Sequence, residues 1–244
     1  MQISDTTIAL VTGANKGLGF EIARQLGHAG MRVLLGARDL KLGEAAAAAL
    51  RVDGIDVHVC RLDVGKLESI DAAAAAIESH EGRLDVLVNN AGVNEPGDGP
   101  PSRASLSAVR RVFDVNVFGV LAVTQAMLPL LRKSASARIV NVSSGLGSPT
   151  HNSNPSWEFS KVTFAGYNTS KAALNMLTVL LAAELEGSKI KVNCAVPGYA
   201  ATDLNQHRGR QTVAQGATAP VRLAMLPDDG PTGALYSANG REHW

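Results

Sequence analysis

Short aliphatic or β-branched runs recur along the chain, and between them lie longer stretches whose apolar positions return every three or four residues. The runs are Ile8 to Val11, Arg32 to Leu35, Asp56 to Arg61, Leu84 to Val88, Arg138 to Val142, Ile190 to Val196 and, more weakly, Ala234 to Ser237. Apolar segments of this length predict seven strands. Gly17 to Ala29, Asp39 to Val52, Lys66 to Ser79, Ser105 to Lys133, Phe164 to Gly187 and Gln211 to Leu226 predict helices, helped by the alanine runs Ala45 to Ala49 and Ala72 to Ala76.

Parallel strands need crossovers of helical length, and the crossovers then cover both faces of the sheet. The alternation therefore predicts an α/β fold, a doubly wound, Rossmann-type parallel sheet of about seven strands with helices on both faces. In such a sheet the site lies beyond the carboxyl ends of the strands. No linker interrupts the pattern, so residues 1–244 read as a single domain. The Pro/Gly-rich segment Glu95 to Arg103 and the Ser/Asn/Pro-rich segment Gly145 to Ser156 read as loops long enough to form rims or lids.

Composition narrows the function classes. The chain has 244 residues, 45% hydrophobic and 18% charged, enough for a sizeable core. A net charge of +1 without a basic run argues against nucleic acid and membrane surfaces. Met1 to Thr7 lacks the pattern of a signal peptide, and no later stretch reads as a membrane span, so a cytoplasmic location is expected. Cys60 and Cys194 sit in predicted strands as reduced thiols, and six scattered histidines form no metal pair, so no metal site is expected.

The first strand runs through Thr12-Gly13-Ala14-Asn15-Lys16-Gly17-Leu18-Gly19 into an amphipathic helix with Phe20, Ile22, Ala23 and Leu26 on its apolar face. Gly13 permits a tight turn, Gly17 lets backbone approach a pyrophosphate, and Gly19 lets the helix pack closely on the sheet. The helix N-terminus offers unpaired N–H groups to the anion, which makes this a dinucleotide cradle. An NAD site places a carboxylate at the end of the second strand. Here that strand ends at Ala37, and Arg38 follows, a residue suited to a 2′-phosphate, with Lys16 a second cation. NADP(H) is expected over NAD(H). The competing reading gives Asp39 the ribose contact, whereas an Asp opening a helix commonly serves as its N-cap.

Tyr167 and Lys171 lie four residues apart in Gly166-Tyr-Asn-Thr-Ser-Lys171, on one face of a predicted helix. A fixed cation beside a phenol favours the phenolate and is expected to draw its pKa from ~10 toward the working pH. That suits Tyr167 to general acid or base catalysis.

Taken in order, the glycine loop, Asn89-Asn90-Ala91-Gly92, a serine after the fifth strand, the Tyr/Lys pair and Pro197-Gly198 resemble the short-chain dehydrogenase/reductase family over about residues 5 to 205. Asn15-Lys16-Gly17 and Ala37-Arg38-Asp39 resemble the NADPH-dependent carbonyl reductases within it. The resemblance implies that Tyr167 donates the proton to a carbonyl oxygen during reduction. Lys171 would tune Tyr167 and bind the nicotinamide ribose, Ser144 rather than Ser143 would bond the substrate oxygen, and Asn116 would hold a water in a relay to Lys171. It also implies that Asp63 and Val64 flank the adenine, that Asn90, Ala91 and Gly92 line the adenosine ribose, and that Pro197, Gly198 and Thr202 wall the nicotinamide. Each of these has a structural alternative: Asn116 as a buried amide bonded to backbone, Asp63 and Thr202 as caps, Asn90, Gly92, Pro197 and Gly198 as turn formers.

On these terms residues 1–142 form the cofactor half, and residues 143–166 and 199–226 the substrate side. Ser144 and Tyr167 are 23 residues apart, more than in the simplest members of the family. The intervening segment holds His151, Trp157, Phe159 and Phe164, either an aromatic wall for an apolar carbonyl or a loop packing its own rings. The expected activity is hydride transfer between NADP(H) and a small-molecule carbonyl or alcohol, favouring reduction of an aldehyde, ketone or quinone. The alternative is a non-catalytic NADP(H)-binding redox sensor acting through a protein partner. The sequence leaves monomer and homo-oligomer open.

Overall fold

In the computed structural model, which describes residues 6–244, eight strands form one sheet in the order β3-β2-β1-β4-β5-β6-β7-β8. Most of the leader-peptide reading of the first seven residues falls outside the described residues. The strands are β1 Ile8–Val11, β2 Arg32–Ala37, β3 Val57–Arg61, β4 Val86–Asn89, β5 Ala137–Val142, β6 Ile190–Ala195, β7 Leu235–Ser237 and β8 Gly240–Glu242. All neighbours through β7 pair in parallel, and β8 folds back antiparallel on β7. That eighth strand departs from the expected seven.

The helices are α1 Gly17–His28, α2 Leu40–Val52, α3 Leu67–Glu81, α4 Leu106–Phe113, α5 Val120–Leu131, a single turn α6 Pro149–Asn152, α7 Ala165–Glu184 and α8 Val213–Ala224. Alternate strand residues face opposite layers. Ala9, Val11, Val33, Leu35, Val86, Val88 and Val140 pack with α1, α2 and α8 residues such as Ile22, Leu26, Leu50 and Leu223. Ile8, Leu10, Leu34, Leu87 and Ile139 face the other way, onto Ile70 and Ile77 of α3, Met127 and Leu131 of α5, and Ala182 of α7. Burial on both faces explains why these strands read as unbroken apolar runs.

The single helix expected over residues 105–133 is divided: α4 passes through a π-helical turn, Asp114–Gly119, before α5. A second correction concerns the membrane. The stretch Leu106–Leu131 is long and apolar enough to span one by length and composition, with a mean hydropathy of 1.5 in its most apolar window. Half of that window is buried in the protein, through Val123, Met127, Leu130 and Leu131 among others, as in a core helix.

Candidate active site

The strand order reverses between β1 and β4, and the predicted residues gather at the carboxyl ends of β1, β4, β5 and β6. Gly13 has φ +62, and a Cβ there would lie 3.1 Å from Ala91 Cα. A Cβ on Gly19 would fall 2.4 Å from both Gly13 O and Asn90 Nδ2, so only glycine fits where α1 meets the loop. Asn90 Nδ2 donates to Thr12 O (2.9 Å) and Gly13 O (3.2 Å), and Thr12 Oγ1 accepts from Asn90 N (3.0 Å) and Ala91 N (2.9 Å). Sequence reasoning missed Thr12, the hub that locks this loop to β4. Its only signal was a hydroxyl at the end of an apolar strand.

Asn15 and Leu18 are half-buried along the loop, and Gly17 opens α1. Lys16 occupies the N-cap position without a side-chain hydrogen bond to the helix, so it leaves first-turn N–H groups for a ligand. Its ammonium is committed elsewhere, to Asp203 Oδ2 at 2.5 Å, with the two side chains 67% and 53% exposed. At the end of β2, Asp39 Oδ1 accepts from Leu42 N (3.0 Å) as the cap of α2. Arg38 beside it is exposed and, among the described residues, without a hydrogen bond or ion pair. Asp63 Oδ1 accepts from Gly65 N (3.1 Å), its own N–H donates to Ser69 Oγ (2.9 Å), and half-buried Val64 follows.

Asn116 comes from the π-helical turn and is fully buried. Its Oδ1 accepts from Val93 N (2.8 Å), while Nδ2 donates to Val93 O (3.0 Å) and Ser170 Oγ (3.1 Å). It is thus a buried amide bonded largely to backbone, and a relay water would have only the second lone pair of Oδ1. A Cβ on Gly92 would be 3.4 Å from Asn116 Oδ1 and 3.6 Å from Lys171 Nζ, which shows how closely these three residues meet.

Lys171 is 4% exposed and donates from Nζ to Val142 O at 2.8 Å. That ammonium stands 5.7 Å from the centroid of the Tyr167 ring. Ser144 Oγ accepts from Leu146 N (3.2 Å) and lies near enough to Tyr167 to act on its phenol, whereas buried Ser143 donates to Asn175 Oδ1 at 2.6 Å. The expected lowering of the phenol is not what this geometry gives. Burial pushes Tyr167 up to about 12 against the bond from Ser144, and burial pulls Lys171 down to about 8.

After β6 the chain turns through Pro197 and Gly198, the latter at φ +76 against the side chain of Gln211. Thr202 opens a single 3₁₀ turn, Asp203–Asn205, its N–H donating to Asn205 Oδ1 (3.2 Å) and its carbonyl accepting from His207 N (2.9 Å). The segment between Ser144 and Tyr167 packs as a row of rings: His151 to Trp157 at 5.2 Å, Trp157 to Phe159 at 5.4 Å, and Phe159 across to Tyr199 at 5.5 Å. A Cβ on Gly145 would lie 3.3 Å from Trp157, so the row starts beside Ser144. Arg210 adds an ion pair to Glu158 at 2.9 Å. The rings pack on one another and also bridge the two substrate-side segments. Among the described residues no cluster could hold a metal.

The family model described as short chain dehydrogenase matches residues 7–212. A short-chain dehydrogenase from Penicillium roqueforti is 39% identical over 89% of this chain and 88% of its own length. Salutaridine reductase from Papaver somniferum is 33% identical over 95% and 94% respectively. Its structure superposes with a TM-score of 0.83 at 31% identity, covering 94% of this chain and 99% of that one. An NADPH-bound carbonyl reductase from chicken fatty liver superposes with a TM-score of 0.85 at 27% identity, covering 98% and 99%.

Proposed function

Because the chain belongs to the short-chain dehydrogenase family, we propose that Tyr167, Ser144, Lys171 and Asn116 carry its reaction, the NADP(H)-dependent interconversion of a carbonyl and an alcohol. The protein is an oxidoreductase acting on CH–OH and C=O groups. Relatives whose printed names are reductases and dehydrogenases favour this enzyme reading over the non-catalytic sensor.

The residues present fit the phosphorylated dinucleotide. Gly13 and Gly19 of the cradle stand where side chains would collide, Arg38 stands uncommitted, and the Asp39 carboxylate that could bond a ribose is used by its helix. Arg38 and the open first turn of α1 would hold the phosphates, and the Asn90 to Gly92 backbone the adenosine ribose. When bound, the cofactor supplies hydride at its nicotinamide.

The observation that carries the mechanism is the gathering of Ser144, Tyr167 and Lys171 beyond the end of β5, with Lys171 Nζ held by Val142 O at 2.8 Å and 5.7 Å from the centroid of the Tyr167 ring. Two neighbouring hydroxyls can converge on one carbonyl oxygen, Ser144 stabilising the charge that develops there and Tyr167 passing its proton to it. A phenol raised to about 12 is protonated at neutral pH and can donate to a carbonyl oxygen. Lys171, close beneath the ring, would then stabilise the phenolate left behind. The row Trp157, Phe159 and Tyr199 favours a flat, apolar carbonyl compound.

The test is Tyr167→Phe, followed by NADPH absorbance at 340 nm with a panel of quinones, aldehydes and ketones. We expect kcat to fall by roughly 10²-fold or more with NADPH still bound; unchanged turnover rejects the assignment.

A further inference from the structure

We propose that Asp98 is a positioning residue for Tyr167, its carboxylate holding the first turn of α7 and so fixing where the phenol stands. This rests on the reaction proposed above. Phe164, at the N-cap position of α7, has no side-chain oxygen with which to cap the helix. The open N–H groups are instead taken by a segment almost seventy residues earlier in the chain. Gly166 N donates to Asp98 Oδ1 and Tyr167 N to Asp98 Oδ2, both at 2.8 Å, while Ala165 N donates to Gly99 O at 2.8 Å. A carboxylate here answers both the unpaired donors and the positive end of the helix dipole, with charge-assisted bonds about twice the strength of neutral ones.

The segment that presents Asp98 is itself braced. Asp98 N donates to Glu95 O (3.0 Å), Ser105 N at the head of α4 donates to Gly97 O (2.9 Å), and Gly99 N donates back to Asp98 Oδ1 (2.9 Å). Space for the carboxylate exists because residue 166 is glycine: a Cβ there would be 3.0 Å from Asp98 Oδ2. The peptide of Tyr167 is gripped from the other side as well. Its carbonyl accepts from Ser170 Oγ (2.8 Å), Asn116 Nδ2 donates to that hydroxyl, and Asn116 binds both backbone groups of Val93. Val93 opens the same segment that leads to Asp98. A closed circuit, Asn116 to Val93 to Asp98 to Tyr167 to Ser170 and back, therefore clamps one residue at both its N–H and its C=O. A proton donor displaced by about 1 Å can cost 10²-fold in rate, which gives such a clamp its purpose.

The experiment compares Asp98→Ala, Asp98→Asn, Gly166→Ala and Tyr167→Phe with the parent full chain. The probes are NADPH and whichever carbonyl of the panel the parent reduces. For Asp98→Ala we expect kcat to fall about tenfold or more, the carbonyl KM and NADPH affinity to stay within about threefold, and the D₂O effect on kcat to grow as proton transfer becomes limiting. Asp98→Asn, which keeps one acceptor oxygen, should recover part of the loss. Gly166→Ala, whose Cβ would press on Asp98 Oδ2 at 3.0 Å and also on Val109 Cα at 3.2 Å, should reproduce it with some added loss of stability. Should Asp98→Ala fail to fold, Asp98→Asn decides the matter. Turnover within about twofold of the parent, or NADPH affinity falling as far as kcat, overturns the proposal. If Tyr167→Phe is inactive while the Asp98 variants are fully active, the positioning role alone falls. If Tyr167→Phe stays active, the reaction reading falls and takes the clamp with it.

Discussion

Lys171 pays for its place in the site. Its pKa falls from 10.5 to about 8 because the ammonium has left water, a difference equivalent to about 3 kcal/mol against the folded state. Between these values the unfolded chain binds a proton that the folded one has released, so this contribution to stability rises with pH from about 8 to 10.5. Tyr167 acts with the opposite sign, as do Cys60 and Cys194, which burial raises to about 11 and about 12; their stabilisation is lost on the alkaline side. Comparison with a Lys171→Met variant cancels most of those contributions. We expect the stability of the methionine variant relative to the parent to drop by about 3 kcal/mol between pH 7 and pH 10.5, in urea titrations; a pH-independent difference would refute a buried, titrating amine. At this scale the sequence was legible where spacing carries the meaning, as in the four-residue step from Tyr167 to Lys171. It was illegible where a long-range contact decides. Nothing around Gly97-Asp98-Gly99 distinguishes a turn from a helix cap, because its partners lie almost seventy residues away. Nor does a residue pattern report how much water a phenol loses.

The helices and strands were read most securely where burial forces a pattern. β1, β2, β4 and β5 are buried on both faces, and α2 begins at an Asp that caps it, as an Asp in that place should. The π-helical turn was hidden because one extra residue per turn barely alters the apolar spacing of a long helix. β8 was missed because it is three residues long and follows β7 after only Ala238-Asn239, a two-residue turn that carries no Asn-Gly signal. The π turn has its own consequence. It brings Gly119 so near the loop after β3 that a Cβ would lie 2.6 Å from Val64 O. Gly119→Ala should therefore destabilise the protein by about 1–3 kcal/mol and weaken NADPH binding as Val64 is displaced, measured by urea unfolding and fluorescence titration. Unchanged affinity would separate Val64 from the cofactor.

Over the whole molecule, a ligand that binds only the folded chain adds stability by mass action. NADPH at one hundred times its Kd should contribute about 2.7 kcal/mol, raising Tm by about 5–10 °C for a chain of this size. NADH at equal concentration should give a smaller shift, and Arg38→Ala should erase the difference; equal shifts in the parent would remove Arg38 from cofactor selection. The architecture followed from the alternation of runs because parallel strands permit few other connections, whereas the row of rings linking His151 to Tyr199 had no counterpart in local pattern. The reversal of strand order at β1 has one more effect, felt before the enzyme exists. Leu10 is flanked by Leu34 on one side and Leu87 on the other. A nascent chain can lay down β1, β2 and β3 as they emerge, but the far edge of β1 waits, bare and apolar, until β4 has been translated. Until then the future centre of the protein is its most adhesive border, and chaperones would meet it there.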